Sequence, residues 1–135
     1  MLQTPYRIAP SSTTPEVAFD PARGSLRLSG LSMPENVTAF YGPVLEWVRE
    51  YAQAPAPHTQ VTIDLAYFNT ATSKVLLEFF GAMQDIADAG HDVGIRWYYN
   101  QSDLDMRDAA EDYAILLSTP VEVLPKDVDE GQTKS

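Results

Sequence analysis

The run from Val61 to Phe80 changes its hydrophobic period part-way along, and that change constrains the fold more than any other stretch. Val61, Ile63, Leu65 and Tyr67 alternate with Thr62, Asp64, Ala66 and Phe68, the period-two pattern of a strand with one face more buried than the other. From Thr72 onward, Val75, Leu76, Phe79, Phe80, Met83, Ile86 and Ala87 fall three and four apart, one stripe of a helix. The spacing predicts a strand delivered straight into a helix, with Asn69, Thr70, Thr72 and Ser73 in the connecting turn or first helical turn. Gly90 stands where a left-handed residue would close that helix. Val93, Ile95, Trp97 and Tyr99 then share one face of a second strand, and strand, helix and strand in succession make a right-handed parallel unit.

The flanking segments extend this unit. Pro5, Pro10 and Pro15, with the hydroxyl-rich residues 11–14, predict a flexible arm over 1–15 carrying a short edge strand at Tyr6 to Ile8. Residues 16–20 and 25–30 alternate as a hairpin whose turn holds Pro21 and Gly24. Phe40, Val44, Leu45, Val48 and Tyr51 keep helical spacing; Pro43 lacks an amide donor, so a short turn over 36–41 and a main helix from 43 to 53 are expected. Ser102 is expected to cap a third helix with Asp105 at its third position, and residues 121–124 to form a last short strand. The expected architecture is a single-domain α/β sandwich over residues 16–125: a mixed central sheet with helices mainly on one face. A polar tail follows over 126–135.

Composition narrows the function. The formal net charge of −10, with nineteen acids against nine bases, opposes nucleic-acid binding, which depends on neutralising phosphates, and disfavours anionic membranes. It suits a basic patch on a protein partner, and it also serves solubility alone. The chain has no cysteine, no apolar run long enough to span a bilayer and no secretory pattern in its first residues, so a cytoplasmic protein is expected.

No Walker, GxGxxG, GxSxG or HExxH pattern occurs, and neither His58 nor His91 has an evident catalytic companion, so no enzyme is expected. No cofactor or metal is expected either: Asp103, Asp105, Asp108, Glu111 and Asp112 lack EF-hand spacing and read as a solvated helix face. The hydroxyl cluster is open to two readings. One of Asn69, Thr70 or Thr72 suffices as a helix cap, but four polar residues in five positions leave a hydroxyl to spare. A phosphate or other anion there would meet free backbone amides and the positive end of the helix, with Lys74 close enough to neutralise it.

Four segments in order, Ser32 to Asn36, Phe40 to Pro43 with Trp47, Tyr67 to Thr70 ahead of Ser73-Lys74, and Gly90 ahead of Ile95 to Tyr99, resemble the SiaC family of regulatory phosphoproteins. The resemblance spans roughly residues 16 to 124. It implies a fold similar to the STAS domain of anti-sigma-factor antagonists. It also implies a partner-switching protein of bacterial biofilm and cyclic-di-GMP signalling. Such a protein is phosphorylated by a dedicated serine/threonine kinase, dephosphorylated by a PP2C-type phosphatase, and binds a diguanylate cyclase when unphosphorylated. The family's phosphoacceptor maps onto Thr70, with Thr72 and Ser73 as local alternatives. Asn69 and Thr72 then become the expected caps, and Asn69, Thr70 and Lys74 the expected partner- or anion-contacting residues. The competing reading is a small-molecule or anion-binding STAS-like module that uses the same helix start.

Overall fold

The computed structural model describes residues 3–126. Nine elements follow in order: β1 (Tyr6–Ile8), β2 (Glu16–Asp20), β3 (Ser25–Ser32), α1 (Val37–Gln53), β4 (His58–Phe68), α2 (Thr70–Asp88), β5 (Asp92–Tyr99), α3 (Leu104–Leu116) and β6 (Val121–Pro125). The strands form one six-stranded sheet in sequence order. β1, β2 and β3 pair antiparallel; β3, β4, β5 and β6 pair parallel. Each parallel step carries one helical crossover to the next strand along. Right-handed crossovers that all advance in one direction put all three helices on one face. The burial pattern agrees: Leu26, Leu28, Val61, Ile63, Val93, Ile95 and Trp97 are buried, while Arg27, Thr62, Asp64 and Arg96 between them are not. The expected α/β sandwich with a mixed sheet is therefore what forms.

The arm and tail are tied in where they are described. Tyr6–Ile8 form the edge strand expected within the arm. The Trp47 indole donates to the Thr4 carbonyl at 2.7 Å and Gln3 donates to the Trp47 carbonyl at 3.0 Å. At the other end Lys126 donates its amide to the Tyr99 carbonyl and sets its ammonium 3.0 Å from Asp64. The rest of the expected tail, 127–135, lies outside the described residues.

Two helix starts differ from expectation. α1 is continuous from Val37, and Pro43 lies inside it. The Asn36 side chain caps it by accepting from the Ala39 amide at 3.0 Å. A helical stripe on both sides of the proline is buried, with Tyr41 and Val44 each about 1% exposed. An interior proline costs about 3 kcal/mol. Burying two such side chains returns about 1.5–3 kcal/mol each, so packing carries the helix across the break. In α3 the cap is Asp103, accepting from the Met106 amide at 3.0 Å, and not Ser102. Ser102 instead bonds Asn100 through both its amide and its hydroxyl. The carboxylate one residue later also places negative charge closer to the helix amides.

Gly90 does close α2. Its φ is 99°, its amide donates to Ala87 and the His91 amide donates to Ile86, the paired bonds of a Schellman ending. Gly24, in the β2–β3 turn, has φ +67°, and a Cβ there would lie 2.2 Å from the His58 carbonyl oxygen. Gly24→Ala is expected to cost about 2 kcal/mol or more, read as a lower urea midpoint at unchanged slope. A variant as stable as the parent would mean that the hairpin can back away from β4.

Candidate functional site at the start of the second helix

β4 does not alternate to its end. Gly30 of β3 pairs with Leu65 and Leu31 with Tyr67, so Ala66 is an extra residue, a β-bulge. The phase of the strand inverts there. Tyr67, expected on the buried face, is 51% exposed, and Phe68 turns inward to lie 6.0 Å from the Trp97 ring. The Asn69 amide then donates to the Ser32 carbonyl at 3.0 Å and α2 begins with Thr70.

The four polar residues of this junction now separate. Asn69 is the cap, its side chain accepting from the Thr72 amide at 2.9 Å. Thr72, expected as a second cap, is fully buried and caps nothing. Its hydroxyl donates to the Ser32 carbonyl at 3.1 Å and lies 2.9 Å from the Ser32 hydroxyl, which lies 2.5 Å from the Tyr41 phenol. A carbonyl can only accept, so the protons run one way, from Tyr41 to Ser32 to Thr72 to the carbonyl. Burial holds the Tyr41 phenol above its ordinary pKa of 10.0, against the pull of Ser32 and Thr72, which keeps the proton in place. The chain of hydroxyls ties β3, α1 and α2 together behind the helix start. Thr72→Val is expected to cost about 1–3 kcal/mol, because it strands the buried Ser32 donor. Urea denaturation checks this, and a neutral effect would show the network to be dispensable.

Ser73 is half-buried; its hydroxyl donates to the Thr70 carbonyl at 2.6 Å, and its own carbonyl accepts from the Tyr113 phenol of α3 at 2.9 Å. Burial raises the Tyr113 pKa, with the Ser73 bond opposing. Thr70 is exposed, and its hydroxyl has no hydrogen-bond partner among the described residues. The amides of Thr70 and Ala71, ahead of the capped Thr72 amide, are also without partners among the described residues. Lys74, exposed one turn on, makes no ion pair among the described residues. The junction thus presents one uncommitted hydroxyl beside open amides, the positive end of a helix and a cation.

Sequence reasoning missed Ser32, Tyr41 and Tyr113. Ser32 had a signal: it continues the core-facing phase of Leu26 and Leu28, where a hydroxyl needs a partner. The acidic run of α3 gathers no metal site: among the described residues no group of three His, Asp or Glu could hold an ion. Among the described residues no helix is long and apolar enough to cross a membrane.

The profile of the SiaC family of regulatory phosphoproteins matches residues 8–126 of this chain. The chain belongs to that family. As a member it is a regulatory protein and not an enzyme. Among curated proteins it is similar to an uncharacterized protein of Pseudomonas aeruginosa (strain UCBPP-PA14), 25% identical over 117 residues, which is 87% of this chain and 93% of the relative. The crystal structure of apo-SiaC from Pseudomonas aeruginosa superposes with a TM-score of 0.84 at 24% identity, covering 90% of this chain and 99% of that one. A second structure, of the diguanylate cyclase SiaD of that organism in complex with its activator SiaC, matches with the same score, identity and coverage. These likenesses establish the SiaC fold for the six-stranded sheet and its three helices.

Proposed function

We propose that this chain is a cytoplasmic signalling switch whose binding to protein partners is set by reversible phosphorylation of Thr70. The carrying observation is the division of hydroxyls at the start of α2. Thr72 is buried and bonded, and Ser73 spends its hydroxyl on the Thr70 carbonyl. Of the three, Thr70 alone is exposed with a hydroxyl that has no hydrogen-bond partner among the described residues, so a kinase can use it without breaking a bond at the helix start. A phosphate there meets the open amides of Thr70 and Ala71 and the helix dipole, so the modified state is locally tolerated.

The partners in this reading are a serine/threonine kinase, a PP2C-type phosphatase and a diguanylate cyclase as effector, which places the output in cyclic-di-GMP and biofilm control. Support for the effector comes from the SiaC that was crystallised with the cyclase SiaD as its activator. Purified kinase from the same genome, ATP and mass-spectrometric mapping test the acceptor. Label is expected on Thr70, and none on the Thr70→Ala protein. Undiminished labelling of Thr70→Ala would move the switch to another residue.

The open amides and Lys74 also favour a second reading, an anion-binding module. Saturable binding of inorganic phosphate by the unmodified chain, with no kinase labelling of Thr70, would favour it over the switch.

A further inference from the structure

α3 is the least anchored of the three helices. It buries two residues, Met106 and Ala110, where α1 and α2 bury six each. Burial of a face, more than propensity, holds a helix of this length to a protein. Its own charges also work against it. Asp105, Asp108, Glu111 and Asp112 stand three and four residues apart, and like charges at those spacings oppose helix formation. The single base of α3, Arg107, pairs with Asp108 at 3.4 Å, and the last turn holds none.

A second observation falls on the same helix. Among the described residues three buried side-chain polar atoms have no hydrogen-bond partner: Trp97 Nε1, Arg107 Nε and Thr119 Oγ1. Arg107 lies in α3 and Thr119 in the link from α3 to β6. Trp97 lies in β5, its ring stacked 5.2 Å from Tyr113 of α3. Seating α3 thus takes polar groups from water without returning a bond, and lifting it hydrates them again.

Two polar latches hold α3 to α2. Near the start of α2 the Tyr113 phenol donates to the Ser73 carbonyl at 2.9 Å. About three turns on, the Gln84 side chain accepts from the amide and the hydroxyl of Ser118, at 2.6 and 3.0 Å. α2 is itself packed against α1 and β5, so it stays in place when the latches part. Irregular segments at 100–103 and 117–120 flank α3 and can serve as its hinges.

We propose that α3 is a hinged cover: it swings off α2 and β5 as one unit while the sheet, α1 and α2 remain folded. Opening bares the Trp97 and Phe80 rings. It also releases the carbonyl of Ser73, the residue whose hydroxyl bonds the Thr70 carbonyl. The cover therefore sets how firmly the first turn of α2 is held from that side. The inference stands without the phosphorylation switch.

Native-state hydrogen exchange of the unmodified full chain, read by mass spectrometry, tests it. Amides of residues 108–116 are expected to be at least about a hundredfold less protected than those of β4. Their exchange is expected to depend little on urea, since local opening exposes little surface. Equal protection of α3 and β4, with the same urea dependence, overturns the cover. Tyr113→Phe and Gln84→Ala are each expected to speed exchange in α3 about three- to tenfold and to leave β4 unchanged. An equal rise in both elements, or none in α3, overturns the latches. Asp108→Ala/Asp112→Ala acts in the other sense and is expected to slow α3 exchange about threefold. Unchanged or faster exchange in that variant overturns the part assigned to charge.

Discussion

Phosphorylated chain is expected to bind the effector cyclase about ten- to a hundredfold more weakly than unmodified chain, while Thr70→Ala retains the unmodified affinity. The phosphate adds about −1.5 to −2 charges at a site whose own backbone accepts them, so the fold itself is little affected. The cost appears only on docking, when a dianion must lose water at the interface and face whatever acidic group the partner had placed against the helix N-terminus. Two orders of magnitude correspond to about 2.7 kcal/mol, within the range for one misplaced charge at an interface. Titrations with wild-type, kinase-treated, Thr70→Ala and Thr70→Asp protein measure it. Equal affinities for the phosphorylated and unphosphorylated chains would sink the charge account.

The second large effect concerns stability. Phe80→Ala is expected to destabilise the chain by about 3–5 kcal/mol. Phe80 is fully buried, with its ring 5.6 Å from Phe79, 5.9 Å from Trp97 and 5.6 Å from Tyr113. It joins α2, β5 and α3 in one aromatic cluster, so no single element can move in to fill the space it leaves. Against a total stability of about 5–15 kcal/mol the loss is large. It is read from the urea midpoint, and a cost below about 2 kcal/mol would show that the cluster relaxes. Because Tyr113 belongs to the cluster and also holds the Ser73 carbonyl, the loss is expected to reach the start of α2 as well.

Much of this was legible from residue order. The shift from period two to period 3.6 gave the strand and helix at the centre, and Gly90 gave the end of α2, because these depend on local spacing and backbone freedom. What escaped depends on neighbours distant in sequence. Pro43 argued locally for a helix start, and only the buried stripe on both sides of it shows why α1 runs through. Ser102 and Asp103 are both good caps; the choice between them follows from Asn100, which occupies Ser102. Thr72 looked like a cap by its position, but its hydroxyl is taken by Ser32, forty residues earlier in the chain. Periodicity alone left open which of the neighbouring hydroxyls is exposed and unbonded, since exposure at a helix start turns on the direction in which the strand delivers the chain.

That direction is set by Ala66. A helix advances about 100° per residue, and a strand turns over completely with each one. The extra residue in β4 therefore acts as an indexing tooth, fixing which side chain of the following helix comes to the front. Were Ala66 paired in step with Leu31 and not bulged, Tyr67 would fall opposite Ser32 and take the inner place now held by Phe68, and the solvent-facing position at the head of α2 would pass to another residue. Substitutions at Ala66 that keep the bulge preserve the outward place of Thr70, the acceptor proposed above; a register in which Ala66 pairs would move it.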